Sequence, residues 1–217
     1  IERNIPRRAE IDPIGLLHVD PDDIELMSNN DFHDLDFLLI SPVLEGEWDK
    51  NVRSLEEYDL YVSLQSHFNK GKRWEETEFY SRVRKEFGKD ESLSKWGCTN
   101  FQEFKDRLDL IDQLYKIIKK EGSKTQRQLR REGKNLFDNS YASIPERHEV
   151  EVYIGRNGEL ISSDGRHRLA IAKSLNISSI PVKVKIRHTK WQNKRIKAKK
   201  CLLEESKYLD YPDIQNI

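Results

Sequence analysis

Five consecutive residues, Asp164, Gly165, Arg166, His167 and Arg168, carry the densest chemistry in the sequence. Glycine tolerates backbone angles that other residues resist, and the spacing of Leu169, Ala172 and Leu175 behind it predicts a helix that opens at this point. The start of a helix offers unpaired N–H groups and the positive end of the helix dipole, so the corner suits an anion, phosphate above all. Arg166 and Arg168 add guanidinium groups able to grip phosphate oxygens in pairs, and His167 adds an imidazole that exchanges protons near neutral pH. The same residues also fit a simpler arrangement, in which Asp164 caps the helix and the basic groups face solvent or neighbouring acids.

The elements that must hold this corner are legible on both sides of it. Leu160 and Ile161 begin a short strand that Asp164 and Gly165 break, and Asn176 is a suitable terminator for the helix. Upstream, Val150, Val152 and Ile154 alternate with polar residues, and Arg156-Asn157-Gly158 is a hairpin turn because Asn-Gly accepts left-handed angles. Downstream, Ile180, Val182, Val184 and Ile186 alternate with Pro181, Lys183 and Lys185, which predicts a strand with one wet face. Leu16 to Val19 reads as a strand, with His18 an ordinary strand histidine, and Asp20 to Asp23 as the turn after it.

The run Asp-Gly-Arg-His-Arg-Leu-Ala-Ile-Ala from Asp164, followed by Ile-Pro-Val-Lys-Val from Ile180, resembles the ParB/sulfiredoxin-like superfamily. The resemblance extends over about Glu149 to His188 and, more weakly, Leu16 to Leu26. It implies a small α/β (α+β) domain with a mixed sheet, and a nucleotide phosphate on Gly165, Arg166, His167 and Arg168, the nucleotide being ATP, ADP or CTP. Arg166 occupies the place of the reactive cysteine of sulfiredoxins, which argues against that redox chemistry. Partition clamps carry Gly-Glu-Arg-Arg and a following helix-turn-helix, neither of which is found here. The free-serine-kinase type, Asp-Gly-His-His-Arg, differs at this turn by one residue. In those kinases a glutamate from the early part of the chain acts as base, so the resemblance makes Glu45, Glu47 and Asp49 candidates. Read by itself, the Ser41 to Asn51 stretch is equally a solvated acidic loop anchored by Trp48.

Between these parts the period changes to helical. Ser54-Leu-Glu-Glu57 has the form of a capping box opening a helix to about Phe68, and a second helix runs from about Trp74 to Phe87. A third begins at Thr99 or Asn100 and carries the stripe Phe101, Phe104, Leu108, Ile111, Tyr115, Ile118 up to Gly122. Ser123 to Arg131 continues as a basic helical segment. The expected organisation is an arm at residues 1–15, then one domain over 16–217 with a helical insertion at 54–131 and a basic helix at 188–207. An apolar patch including Phe37 to Ile40 is readable as a short helix running into a strand.

Lysine and arginine number 38, aspartate and glutamate 38, so the net charge is +0 and no global field draws the protein to nucleic acid. Locally, however, no acid interrupts the chain between Ile180 and Cys201, and Lys190, Lys194, Arg195 and Lys197 form a candidate nucleic-acid face. That face is also readable as one paired with Glu204, Glu205 and the acidic loops. Cys98 and Cys201 are far apart in sequence, no zinc-ligand spacing occurs, and no apolar run is long enough to span a bilayer, so a cytoplasmic protein is expected.

The function these readings favour is phosphotransfer from a nucleotide to a hydroxyl, on a small-molecule or macromolecular acceptor. Asp164 or the Glu47 loop would hold Mg²⁺, Glu47 or Asp49 would act as base, and His167 would serve as acid or phosphate donor. The alternative is a nucleotide-gated DNA-binding module without catalysis.

Overall fold

The computed structural model describes residues 15–30, 32, 42–89, 94, 97–134, 136–137, 145–203 and 206–216. The expected N-terminal arm, the Phe37 to Ile40 patch, Glu204 and Glu205 lie outside the described residues, except for Gly15 at the end of the arm. In chain order the strands and helices are β1 (Leu16–Val19), β2 (Leu26–Ser28), β3 (Val43–Leu44), β4 (Val52–Ser54), α1 (Asp59–Lys70), α2 (Glu78–Phe87), α3 (Phe101–Glu121), α4 (Gln126–Arg131), β5 (Val150–Ile154), β6 (Leu160–Asp164), α5 (Arg166–Ser174), β7 (Ile180–His188), α6 (Thr189–Lys199) and α7 (Pro212–Gln215). The fold is mixed α/β.

One sheet runs in the order β1-β7-β5-β6-β2-β4, with β3 beside the C-terminal end of β7. The pairs β5–β7, β2–β6 and β3–β7 are parallel and the others antiparallel. Alternation along β5 sends Val150, Val152 and Ile154 into the main core, where α1, α3 and α5 pack, and Tyr153 to the other face. That second face is covered as well: Tyr153, Ile161 and Ile186 lie beneath Phe32, Leu44, Trp48 and Val52. The wet face expected of β7 is therefore absent. Lys185 and Arg187 are buried, Lys185 lying 3.4 Å from Glu151 and Arg187 2.6 Å from Asp213. Alternating polarity here marks internal ion pairing and not exposure.

Of the four helices between β4 and β5, α2, α3 and α4 start at side-chain caps and α1 does not. Ser54 accepts a hydrogen bond from the Glu56 amide but closes only a 3₁₀ turn, so α1 begins four residues later than the capping-box pattern implies, at Asp59. Trp74 likewise opens a 3₁₀ turn, and Thr77 caps α2. Asn100 caps α3 through the Glu103 amide at 2.9 Å, and Phe104, Leu108, Ile111 and Ile118 of the stripe are buried. α1 is tied to α5 by Gln65, whose amide donates to the Ala170 carbonyl at 3.3 Å. Among the described residues no helix is long and apolar enough to cross a membrane.

Candidate functional site

β6 ends at Asp164, and Gly165, with φ +74°, turns the chain into α5. Among the described residues no side chain caps the helix; the Asp164 carboxylate instead accepts from the Gly165 amide at 2.7 Å, and the first-turn N–H groups of α5 have no side-chain acceptor. Two constraints select glycine here. The angle is left-handed, and a Cβ would stand 2.6 Å from the Cα of Val150 on the neighbouring strand. Gly165→Ala is expected to cost about 1–3 kcal/mol from the backbone angle alone, with the clash adding to it. Urea denaturation should show the midpoint falling at unchanged slope.

Arg168 does not face this corner. It is buried, donating to Glu149 at 2.8 Å and to the Lys124 carbonyl at 2.5 Å, while Glu149 also accepts from the Gln126 amide at 2.6 Å. The arginine expected to bind phosphate thus fastens α5 to the start of α4.

Arg166 remains, and two arginines from distant parts of the chain join it. The guanidinium groups of Arg166 and of Arg53, on β4, lie 5.4 Å and 5.0 Å from the Tyr58 ring centroid, and Arg166 also donates to the Tyr58 hydroxyl at 3.3 Å and to the Ser163 carbonyl at 3.0 Å. Arg107, on α3, lies over Phe137 at 4.9 Å, and its charge acts on both His167 and Asp164. Among the described residues none of the three arginines has a carboxylate within ion-pair distance, and each keeps a buried Nε without a hydrogen-bond partner. Burial pulls the Arg107 guanidinium below its ordinary value, with Asp164 acting in the opposite sense. His167 sits among these cations. Its ring is enclosed although the residue keeps some surface, and burial first, then Arg107 and Arg166, bring its pKa down to about 3. It is neutral at pH 7 and therefore a hydrogen-bonding group, not a proton-donating acid.

Comparison with protein families, characterised proteins and solved structures finds no match.

Glu47 and Asp49 stand elsewhere. Asp49 takes the Arg156 guanidinium at 2.8 Å and 2.6 Å and its amide at 2.9 Å, and Glu47 takes the same guanidinium at 3.1 Å and pairs with Lys50. Arg156 follows the C-terminal end of β5, whereas Asp164 is paired with Glu151 near its N-terminal end, roughly 10 Å of strand away. Burial pushes the Asp49 carboxyl up, but the hydrogen bonds from Arg156 outweigh it and hold the group below its ordinary value. Lys50 first, then Arg156, lower Glu47. Both acids are engaged in holding their loop to the hairpin, with Trp48 packed edge-on against Tyr153 at 5.9 Å. A base role at the α5 corner does not fit that position.

The basic helix is divided as well. Lys190 and Lys197 on α6 are exposed, but the Lys194 ammonium lies 3.7 Å from the Tyr208 ring centroid, and Arg195 is buried, donating to the Asp213 carbonyl at 2.9 Å. His188 caps α6 through the Lys190 amide. Among the described residues no three His, Cys, Asp or Glu side chains cluster as a metal site. Asp164 is the exposed acid at the arginine corner, and Mg²⁺, which keeps waters and phosphate oxygens as ligands, needs from the protein only one or two such carboxylates.

Proposed function

We propose that this protein binds a nucleotide by its phosphates at the start of α5 and transfers a phosphoryl group from it to a hydroxyl acceptor. The observation that supports this reading is the convergence of Arg53, Arg107 and Arg166, without carboxylate partners among the described residues, on a helix start with no side-chain cap among them. Three cations beside the exposed Asp164 suit a multiply charged anion better than a single carboxylate ligand. In the reaction, the acceptor oxygen forms a bond to the terminal phosphorus, the bond from that phosphorus to the bridging oxygen of the leaving nucleotide (a diphosphate from ATP or CTP, a monophosphate from ADP) breaks, and the hydroxyl proton passes to Asp164 or to water. The arginines stabilise the charge on the transferred group, and neutral His167 hydrogen-bonds to it. Mg²⁺ held beside Asp164 would neutralise phosphate charge.

The alternative, a nucleotide-gated DNA-binding module, keeps Lys190 and Lys197 but loses Arg195, which is buried against Asp213.

Melting temperatures measured with ATP, ADP and CTP, with and without Mg²⁺, test the reading on wild type and Arg166→Ala. A ligand at a hundred times its dissociation constant adds about 2.7 kcal/mol. Stabilisation of the wild type alone is the expected result; no shift with any nucleotide would refute the proposal.

A further inference from the structure

At the other end of the hairpin lies a cavity of about 350 Å³. Leu17, Val19 and Ile154, all buried, contribute to its floor, and Tyr211, 37% exposed, stands in its wall. The edge carries the carboxylates of Asp23 and Asp210, both on exposed residues. Among the described residues neither carboxylate has a hydrogen bond or an ion pair, whereas Glu159, also in the lining, is engaged by the Asn157 amide and side chain at 3.0 Å and 2.8 Å. Lys207, the cation among the described lining residues, has its ammonium 4.7 Å from the Tyr208 ring centroid. Burial first, and then the neighbouring Asp20 and Asp22, hold the Asp23 carboxyl above its ordinary value, with Lys173 acting in the opposite sense.

We infer that this cavity is a second binding site, for a small organic cation with an apolar stem, of the alkylguanidinium or alkylammonium class. The stem lies on the floor formed by Leu17, Val19 and Ile154, and the charged head reaches Asp23 and Asp210 beside the Tyr211 ring. The volume is at the small end of ligand pockets, which fits a stem of a few carbons. An anion is disfavoured by the same carboxylates, and a purely apolar ligand would make no use of them. The site is independent of the arginine corner, since Ile154 and Asp164 belong to opposite ends of the β5–β6 pair.

The test is calorimetric titration of the whole chain with butylguanidinium and with butylurea, its uncharged isostere, on wild type, on Asp23→Asn/Asp210→Asn and on Arg166→Ala. Butylguanidinium should bind saturably, about tenfold tighter than butylurea and about tenfold tighter to wild type than to the double variant. Arg166→Ala should bind it as wild type does. Melting curves confirm that the double variant, which alters two exposed residues, remains folded. A Gly-Arg-Gly peptide separates two sources of the same chemistry: tighter binding of the peptide assigns the site to an arginine side chain, and tighter binding of butylguanidinium to a free molecule. Absence of saturable binding, equal binding of butylurea, or an unaffected double variant would overturn the inference.

Discussion

Arg168→Ala should destabilise the protein by about 3–5 kcal/mol, because it takes the guanidinium away from the buried Glu149 carboxylate. The Glu149 side chain is fully buried, with 0% exposure, and lies against the Arg168 guanidinium at 2.8 Å. Removal of the arginine also frees the Lys124 carbonyl, so α5 loses its side-chain tie to the segment leading into α4, while the Gln126 amide stays on Glu149. Arg168→Lys should recover little of this, since one ammonium cannot reproduce the two-directional fork. Urea denaturation of the two variants and of Arg166→Ala distinguishes the roles of the two arginines. Arg166→Ala should retain most of the wild-type stability, and a Arg168→Ala variant as stable as wild type would show that the Glu149 pair is not needed.

Asp213→Ala should have an effect of similar size at the opposite end of the sheet. The carboxylate of Asp213 receives Arg187 at 2.6 Å, the Trp191 indole N–H at 2.9 Å and Arg195 at 3.1 Å, and its residue is buried. Burial first pulls the Arg195 guanidinium below its ordinary value, Asp213 opposes that, and Arg187 adds to it. Without the carboxylate, two guanidinium groups repel each other where water does not screen them, at a cost of about 3–5 kcal/mol. Asp213→Asn keeps the shape and a hydrogen-bond acceptor but not the charge, and should fall between. Denaturation midpoints of the two variants measure this, and near-ultraviolet circular dichroism reports whether Trp191 keeps its surroundings.

The two networks also explain what was legible in the sequence. The β6–Gly165–α5 corner follows from residues next to one another: an apolar start, a dipeptide that turns the chain and a helical period behind it. The hairpin of β5 and β6 and the α3 stripe are local patterns of the same kind. The role of Arg168 is different, since its partner Glu149 is nineteen positions upstream and nothing in the spacing assigns one to the other. Arg53, Tyr58 and Arg107 meet the α5 corner only through tertiary packing; Tyr58 and Arg166 are separated by 108 positions. The apparent wet face of β7 misleads for the same reason, because the residue that satisfies Arg187 comes from α7. Glu47 and Asp49 carry the chemistry of a base, but Arg156 had already committed them, a pairing across 109 and 107 positions.

The central claim is that the phosphate-binding cations are Arg53, Arg107 and Arg166, from three separate elements. Calorimetric titration of ATP with Mg²⁺ into wild type, each of the three single alanine variants, and Lys197→Ala tests it most directly. Charge-assisted hydrogen bonds contribute about 1.5–3 kcal/mol each, so each arginine variant should bind about tenfold or more weakly while its melting temperature stays close to that of wild type. Lys197→Ala should bind as wild type does. Unchanged affinity in all three arginine variants, or loss confined to Lys197→Ala, would contradict the claim and move the anion site to α6.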